Sequence, residues 1–237
     1  FEEVKEVFCR LNSGVALSPQ EKRNAMATPI AQWSRDLAKK FQDVTSKIVG
    51  LEALRMEDRQ LIVRVGMMLS LPDLDSSDIE YNKWFEQGCG SIQLSERYDI
   101  SILEERVPLI LDTISQSFRK NQEKMNIKNF VILVLELNSV FERGKTIRNA
   151  FCFRNDVKNK IKSLCDASRK RLAADIAAWE NNPSKFKEPK TGDYFHAKLA
   201  HLNSSTRRND AFSHFQENFS SSEIQHLTIV ENKKEVI

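Results

Sequence analysis

Glycine and proline are scarce in this chain, 7 and 6 among 237 residues. That scarcity argues against a many-stranded fold with a turn every few residues and favours helices. The four cysteines, Cys9, Cys89, Cys152 and Cys165, form no C-x-x-C pair. They fit free thiols of a reducing compartment better than a disulfide frame or a zinc site. No apolar run approaches the roughly 18 residues of a membrane span, and no basic stretch followed by an apolar core reads as a signal peptide. Histidine is missing until the last quarter, where His196, His201, His214 and His226 show neither H-E-x-x-H nor Cys/His spacing, so no metal site is expected. Gly144-Lys145-Thr146 ends like a P-loop, but Ser139 stands where that motif needs its earlier glycine. There is no G-x-S-x-G. These absences predict a cytoplasmic protein with no membrane partner and leave the catalytic residues unknown.

What is present reads as an ordinary globular chain, 41% hydrophobic and 29% charged, with a net charge of +3 that does not by itself imply nucleic acid. Apolar spacing predicts helices from Pro29 through Trp33, Leu37 and Phe41 to about Val49, from Glu57 to Ser70, and over Ile79–Phe85 behind the acidic loop Asp73–Asp78. A helical pattern from Ser101 towards Met125 contains Val107-Pro108, a point of interruption. Asn129–Phe141 is apolar nearly all round and predicts a central buried helix, with a strand over Phe130–Leu135 as the competing reading. Asp156 is expected to cap a long amphipathic helix whose stripe is Val157, Ile161, Leu164, Cys165, Ser168, Leu172, Ile176 and Trp179. Asn181-Asn182-Pro183-Ser184 ends it, and short helices over Asp193–Leu202 and Thr206–Phe219 precede a polar tail holding Leu227-Thr228-Ile229-Val230 as a lone strand. The expected fold class is mainly α, a helical bundle, divided as 1–70, 71–180 and 181–237.

Charge is unevenly spread. Arg143–Arg171 holds ten Lys and Arg residues against Asp156 and Asp166, whereas Asp73–Asp112 is acidic. Lys158, Lys162 and Arg169 form one coherent stripe on the helical wheel. Two readings stand open: a stripe that neutralises nucleic-acid phosphates, and a solvated face that docks the acidic part of a neighbour.

The opening stretch Glu6–Ala25 is the most specific. Phe1, Val4, Val7, Phe8 and Leu11 fall at helical spacing, and Asn12-Ser13-Gly14 stops that helix. Ser18 then reads as an N-cap, Pro19 as the first helical residue and Glu21 as the partner that completes a capping box. By physics alone this is a packing corner between two helices. The same residues, F-x-R-L-N-S-G-x-x-L-S-x-x-E-x-R-N-A over Phe8–Ala25, together with R-M-E-D-R at Arg55–Arg59, resemble the GmrSD-type restriction endonuclease N-terminal domain family, which is ParB-like. Val15 replaces the second glycine of the family's pair, and the family's D-G-Q-Q-R-like string is absent.

The resemblance implies the C-terminal portion of a longer bacterial phage-defence protein with an upstream α/β ParB-like domain as its partner. In that reading Phe8 and Leu11 fix the corner, while Arg10, Asn12, Gly14, Glu21, Arg23 and Asn24 brace that domain or its nucleotide. NTP and Mg, nucleotide hydrolysis and DNA cleavage belong to the full-length protein, and these 237 residues alone are expected to be inactive and to need no cofactor. The helical remainder would bind DNA, sense a partner or hold a homo-oligomer together. The alternative is a non-catalytic helical protein–protein interaction module.

Overall fold

In the structure, a computed structural model, residues 18–26, 28–49, 51, 56–87, 101–118, 124–219 and 227–229 are described. The helix expected over the first dozen residues, its stop at Asn12-Ser13-Gly14 and the glycine-flanked Cys89 lie outside them. The chain is mainly helical and forms two compact units, Phe1–Ser115 and Gln116–Ile237.

The first unit opens with α1 (Pro19–Ala25) and α2 (Pro29–Lys40). Each has proline in its first turn and a hydroxyl cap: Ser18 Oγ accepts from the amide of Glu21 at 3.2 Å, and Thr28 Oγ1 from that of Ala31 at 3.2 Å. The helix predicted to reach Val49 ends instead at Phe41. A short turn, α3 (Gln42–Thr45), and strand β1 (Ile48–Val49) follow. Phe41, Val44 and Ile48 are all buried and continue the three-to-four-residue spacing, so periodicity alone could not reveal the break. α4 (Glu57–Ser70) keeps its predicted bounds, and Leu71, its cap, precedes Pro72. α5 (Asp78–Gln87) starts one residue earlier than expected, with Ser77 Oγ accepting from the amide of Glu80 at 3.3 Å.

The pattern from Ser101 resolves into a π-helical turn, Ile102–Arg106, and α6 (Val107–Ser117), which stops well short of Met125. A π turn widens the backbone ring and misaligns local carbonyls, which then need other donors. Trp33 supplies one, its indole N–H donating to the Leu103 carbonyl at 3.1 Å. The core of this unit gathers around the same side chain. Ile30, Val63, Met67, Trp84 and Phe85 are buried together, Trp33 packs against them, and the Trp33 and Trp84 rings meet edge-on at 6.2 Å and 78°. Gly66 of α4 lies beneath both rings: a Cβ there would sit 2.7 Å from Trp33 Cη2 and 2.9 Å from Trp84 Cη2.

In the second unit, strand β2 (Met125–Asn126) leads into α7 (Ile127–Glu142), capped by Asn126 Oδ1 accepting from the amide of Asn129 at 2.9 Å. Phe130, Val131, Ile132, Leu133, Val134, Leu137 and Val140 are buried, so Phe130–Leu135 is helix and the competing strand is excluded. Gly144 closes α7 with φ of +66°, its N–H reaching the Phe141 carbonyl at 3.0 Å. Strand β3 (Lys145–Ile147) follows and pairs antiparallel with β4 (Leu227–Ile229), in register Lys145↔Ile229 and Ile147↔Leu227. Leu227–Ile229 is therefore a paired strand rather than a lone one.

α8 (Ala150–Asn181) begins two turns before the predicted cap. Asn149 Oδ1 accepts from the Cys152 amide at 3.1 Å, and Asp156 lies inside the helix. Its stripe is buried only at Phe153, Val157 and Ile161; Leu164, Cys165, Ser168, Leu172, Ile176 and Trp179 all keep solvent contact, and Ile176 is 37% exposed. After a 3-10 turn at Thr191–Asp193, the predicted helix over Asp193–Leu202 is a single turn, α9 (Phe195–Lys198), followed by a second 3-10 turn, Leu199–His201. α10 (Ser205–Asn218) returns, burying Arg208, Ala211 and Phe215.

The tight approach at Gly66 can be tested directly. Gly66→Ala gains helix propensity of at most about 1 kcal/mol, but the two indoles must shift, and overpacking of this kind costs about 1–3 kcal/mol. A lowered unfolding temperature is expected. A pH test concerns Glu136 on α7, which is buried with its carboxylate beside Arg143 (3.4 Å) and Gln216 (3.5 Å). Burial pushes its pKa up to about 7 against the opposing pull of Arg143 and Gln216. The folded state therefore holds this proton more tightly than the unfolded chain does. Its contribution is fully present below the unfolded carboxylate range and is lost as pH rises through about 7. Glu136→Gln should remove up to about 3 kcal/mol of stability difference between pH 4.5 and pH 7.5, read from unfolding curves across that range.

Candidate functional site

The corner predicted from the sequence is built as a reciprocal cap with a buried cation behind it. Ser18 and Glu21 complete the capping box, the Ser18 amide donating to Glu21 Oε2 at 2.6 Å. The carboxylate of Glu21 thus serves the backbone. Two residues on, Arg23 is 1% exposed. A buried guanidinium is costly unless its N–H groups are matched, and here three acceptors meet it. Nε donates to Gln20 Oε1 at 3.0 Å, Nη1 to Asn82 Oδ1 at 2.9 Å and Nη2 to Asp78 Oδ1 at 3.0 Å. The Tyr81 ring lies 5.3 Å from its Cζ, so one face of α5 is given over to a single residue of α1.

Asn24 faces the other way. Its Nδ2 meets Met56 Sδ at 2.9 Å, Arg59 Nη1 reaches the same sulfur at 3.5 Å, and its carbonyl accepts from Arg35 Nη1 at 3.0 Å. Met56 adopts the left-handed region at φ of 60° just before α4, a conformation rare outside glycine and asparagine. Asn24 of the R-N-A segment therefore meets Met56 of the R-M-E-D-R segment at this corner. Gln20, Arg23, Glu57, Gln60 and Asp78 line a small cavity of about 190 Å³ there. Gln20 Nε2 and Asn24 Oδ1 are buried and have no hydrogen-bond partner among the described residues. Arg10, Asn12 and Gly14, with Phe8 and Leu11, lie outside the described residues.

Both partners of Arg23 on α5 escape a reading of the sequence, in which Asp78 belongs to an acidic capping loop and Asn82 is a polar helix position. Only the short D-x-x-x-N spacing, which puts the two on one helix face, was available as a signal.

The second predicted site lies on α8. Lys158 and Lys162 are exposed one turn apart, and Arg169 shares their face; it is 62% exposed and paired with Asp166 at 3.1 Å. The structure thus brings the stripe together on an open surface, and a surface pair with Asp166 holds Arg169 only weakly. Of the cysteines, Cys152 and Cys165 are free thiols, and burial raises the pKa of Cys165. No group of His, Cys, Asp and Glu suited to a metal occurs among the described residues. No helix among them is long and apolar enough to cross a membrane. Gly144-Lys145-Thr146 runs from a helix end into a strand, the reverse of the strand–loop–helix order a P-loop requires.

Comparison with models of protein families, with curated proteins and with solved structures found no match.

Loss of the cap and of the buried cation should separate in size. Ser18→Ala should cost about 1 kcal/mol, and Arg23→Ala more, up to about 3 kcal/mol, because the buried Gln20 loses its partner while Asp78 and Asn82 stay open to solvent. Arg23→Lys should recover little, since one ammonium cannot span three acceptors. Denaturant unfolding of the three variants measures the ranking.

Proposed function

We propose that this chain is the helical C-terminal portion of a bacterial ParB-like, GmrSD-type restriction or defence protein. In this reading it supports nucleotide-dependent DNA recognition or cleavage by an α/β domain that precedes it. The observation that carries the proposal is spatial. The two segments of family-like sequence are about thirty residues apart, yet Asn24 and Met56 touch and Arg23 is buried beside them. The corner then acts as a brace: Glu21 fixes the start of α1, Arg23 ties α1 to α5, and Asn24 ties it to α4. Arg10, Asn12 and Gly14 would carry the corner towards the α/β domain and its nucleotide. NTP and Mg belong to that domain, and the exposed stripe of Lys158, Lys162 and Arg169 contacts DNA phosphates. A second reading, a non-catalytic helical protein–protein interaction module, is favoured by one fact: the guanidinium of Arg23 is matched by acceptors of its own unit.

NTP hydrolysis and DNA cleavage are to be measured for these 237 residues and for a longer protein that includes the α/β domain. Turnover by the longer protein alone is expected; turnover by neither favours the interaction module. For the stripe, changing Lys158, Lys162 and Arg169 together to Ala should flatten the plot of log DNA affinity against log salt by about three units, at about −0.9 per phosphate, and leave stability almost unchanged. A parent and a triple variant that bind DNA alike, or not at all at low salt, would remove DNA contact by α8.

A further inference from the structure

Beyond Ile161 no residue of α8 is buried, and its next turns face the 187–194 segment, α9 and α10 across a cleft of about 620 Å³. That volume lies within the range of small-molecule sites. Four cations line the cleft, Arg171, Lys187, Lys190 and Lys198, against two carboxylates, Glu188 and Asp193. Arg171 and Lys198 are partly answered from outside it, by Asp175 at 3.7 Å and Asp210 at 3.5 Å. Lys187 and Lys190 are exposed and make no ion pair with any described residue. With Asp175 and Asp210 counted, four cations face four carboxylates and the cleft has no net charge; what it offers an anion is the two ammonium groups of Lys187 and Lys190, which no described carboxylate meets at ion-pair distance.

The remaining walls are apolar and aromatic. Leu164, Ala167 and Pro189 contribute aliphatic surface, and Tyr194, Phe195 and His214 contribute rings. These walls are held in place. Tyr194 donates its hydroxyl proton to Asp175 Oδ2 at 2.6 Å, Ser168 Oγ and His196 Nδ1 are 3.0 Å apart, and the His214 ring lies 5.2 Å from that of the buried Phe195. The bonds from Asp175 and Ser168 fasten the segment that carries Tyr194 and His196 to α8, so the rings need little ordering when a ligand enters. Fixed rings offer stacking faces, and ammonium groups bind phosphate as point charges.

We propose that this cleft binds a small phosphate monoester that carries a flat ring, the phosphate at Lys187 and Lys190 and the ring against Tyr194 and His214. A phosphate monoester carries about 1.5 to 2 negative charges near neutral pH, which suits two unpaired ammonium groups. The site lies wholly within Gln116–Ile237 and uses no residue of the family-like segments, so it stands or falls independently of the proposed restriction role.

Titration calorimetry of the whole chain with adenosine monophosphate, adenosine and inorganic phosphate tests it. Saturable one-site binding of adenosine monophosphate is expected, with adenosine and inorganic phosphate each at least about tenfold weaker. Lys187→Ala with Lys190→Ala should weaken the nucleotide at least about tenfold at an unchanged unfolding temperature, while changing two exposed lysines outside the cleft, Lys39→Ala with Lys124→Ala, leaves it alone. Absence of saturable binding overturns the proposal. So does adenosine or inorganic phosphate binding as tightly as the nucleotide, unchanged binding by the first double variant, or equal loss in both.

Discussion

Burial of the Arg23 guanidinium is the constraint on which the first unit depends. A cation with so little solvent access persists only where acceptors meet it, and each of its three nitrogens finds one: Gln20 on its own helix, and Asp78 and Asn82 on α5. Neither α1, at seven residues, nor an isolated α5 is long enough to be stable alone in water. Arg23 ties the two together, while Trp84 and Phe85 fix α5 in the apolar core and Asn24 fixes α1 to Met56. The reciprocal cap at Ser18 and Glu21 presents Arg23 at the right height, and Asn24 carries the same helix to Met56 at the head of α4. A polar network of this kind adds little net stability but strongly penalises any other arrangement.

The apolar core of that unit works by the opposite rule. Trp33 and Trp84 meet edge to face over a position with no side chain, Gly66 of α4, where a Cβ would crowd both rings. Trp33 also answers the Leu103 carbonyl in the π turn, which couples the close packing over Gly66 to that irregular backbone. The second unit takes its order from α7, a helix apolar on nearly every face, with one carboxylate, Glu136, enclosed among its apolar neighbours.

Features set by a few adjacent residues were legible in the sequence. The Ser18, Pro19 and Glu21 start, the bounds of α4 and the all-round burial of α7 depend on local hydrogen bonding and composition, and each is found as expected. Features that depend on distant partners were not. Asp78 and Asn82 are 55 and 59 residues from Arg23, and no spacing rule links them to it. The start of α8 was misplaced because both Asn149 and Asp156 are competent caps, and tertiary packing of Phe153 decides for the earlier one. The long stripe of α8 showed which face an apolar neighbour would cover, but only the turns up to Ile161 receive one. The cleft beside Tyr194 was invisible for the same reason: Ser168, Asp175 and His196 have no motif in common and are gathered by the fold.

That partial cover gives α8 no single stability. At about 1.5 Å per residue its 32 residues span about 48 Å, and the buried contacts sit near one end. Amides around Val157 should exchange with solvent only when the whole unit opens, whereas those approaching Asn181 need only the last turns to unwind. The helix is a graded element. It is firm where Phe153 and Val157 are packed, fastened in its middle by the polar bonds of Ser168 to His196 and Asp175 to Tyr194, and looser by degrees towards Asn181. Its far end is therefore where a neighbour could add order at the least cost in rearrangement.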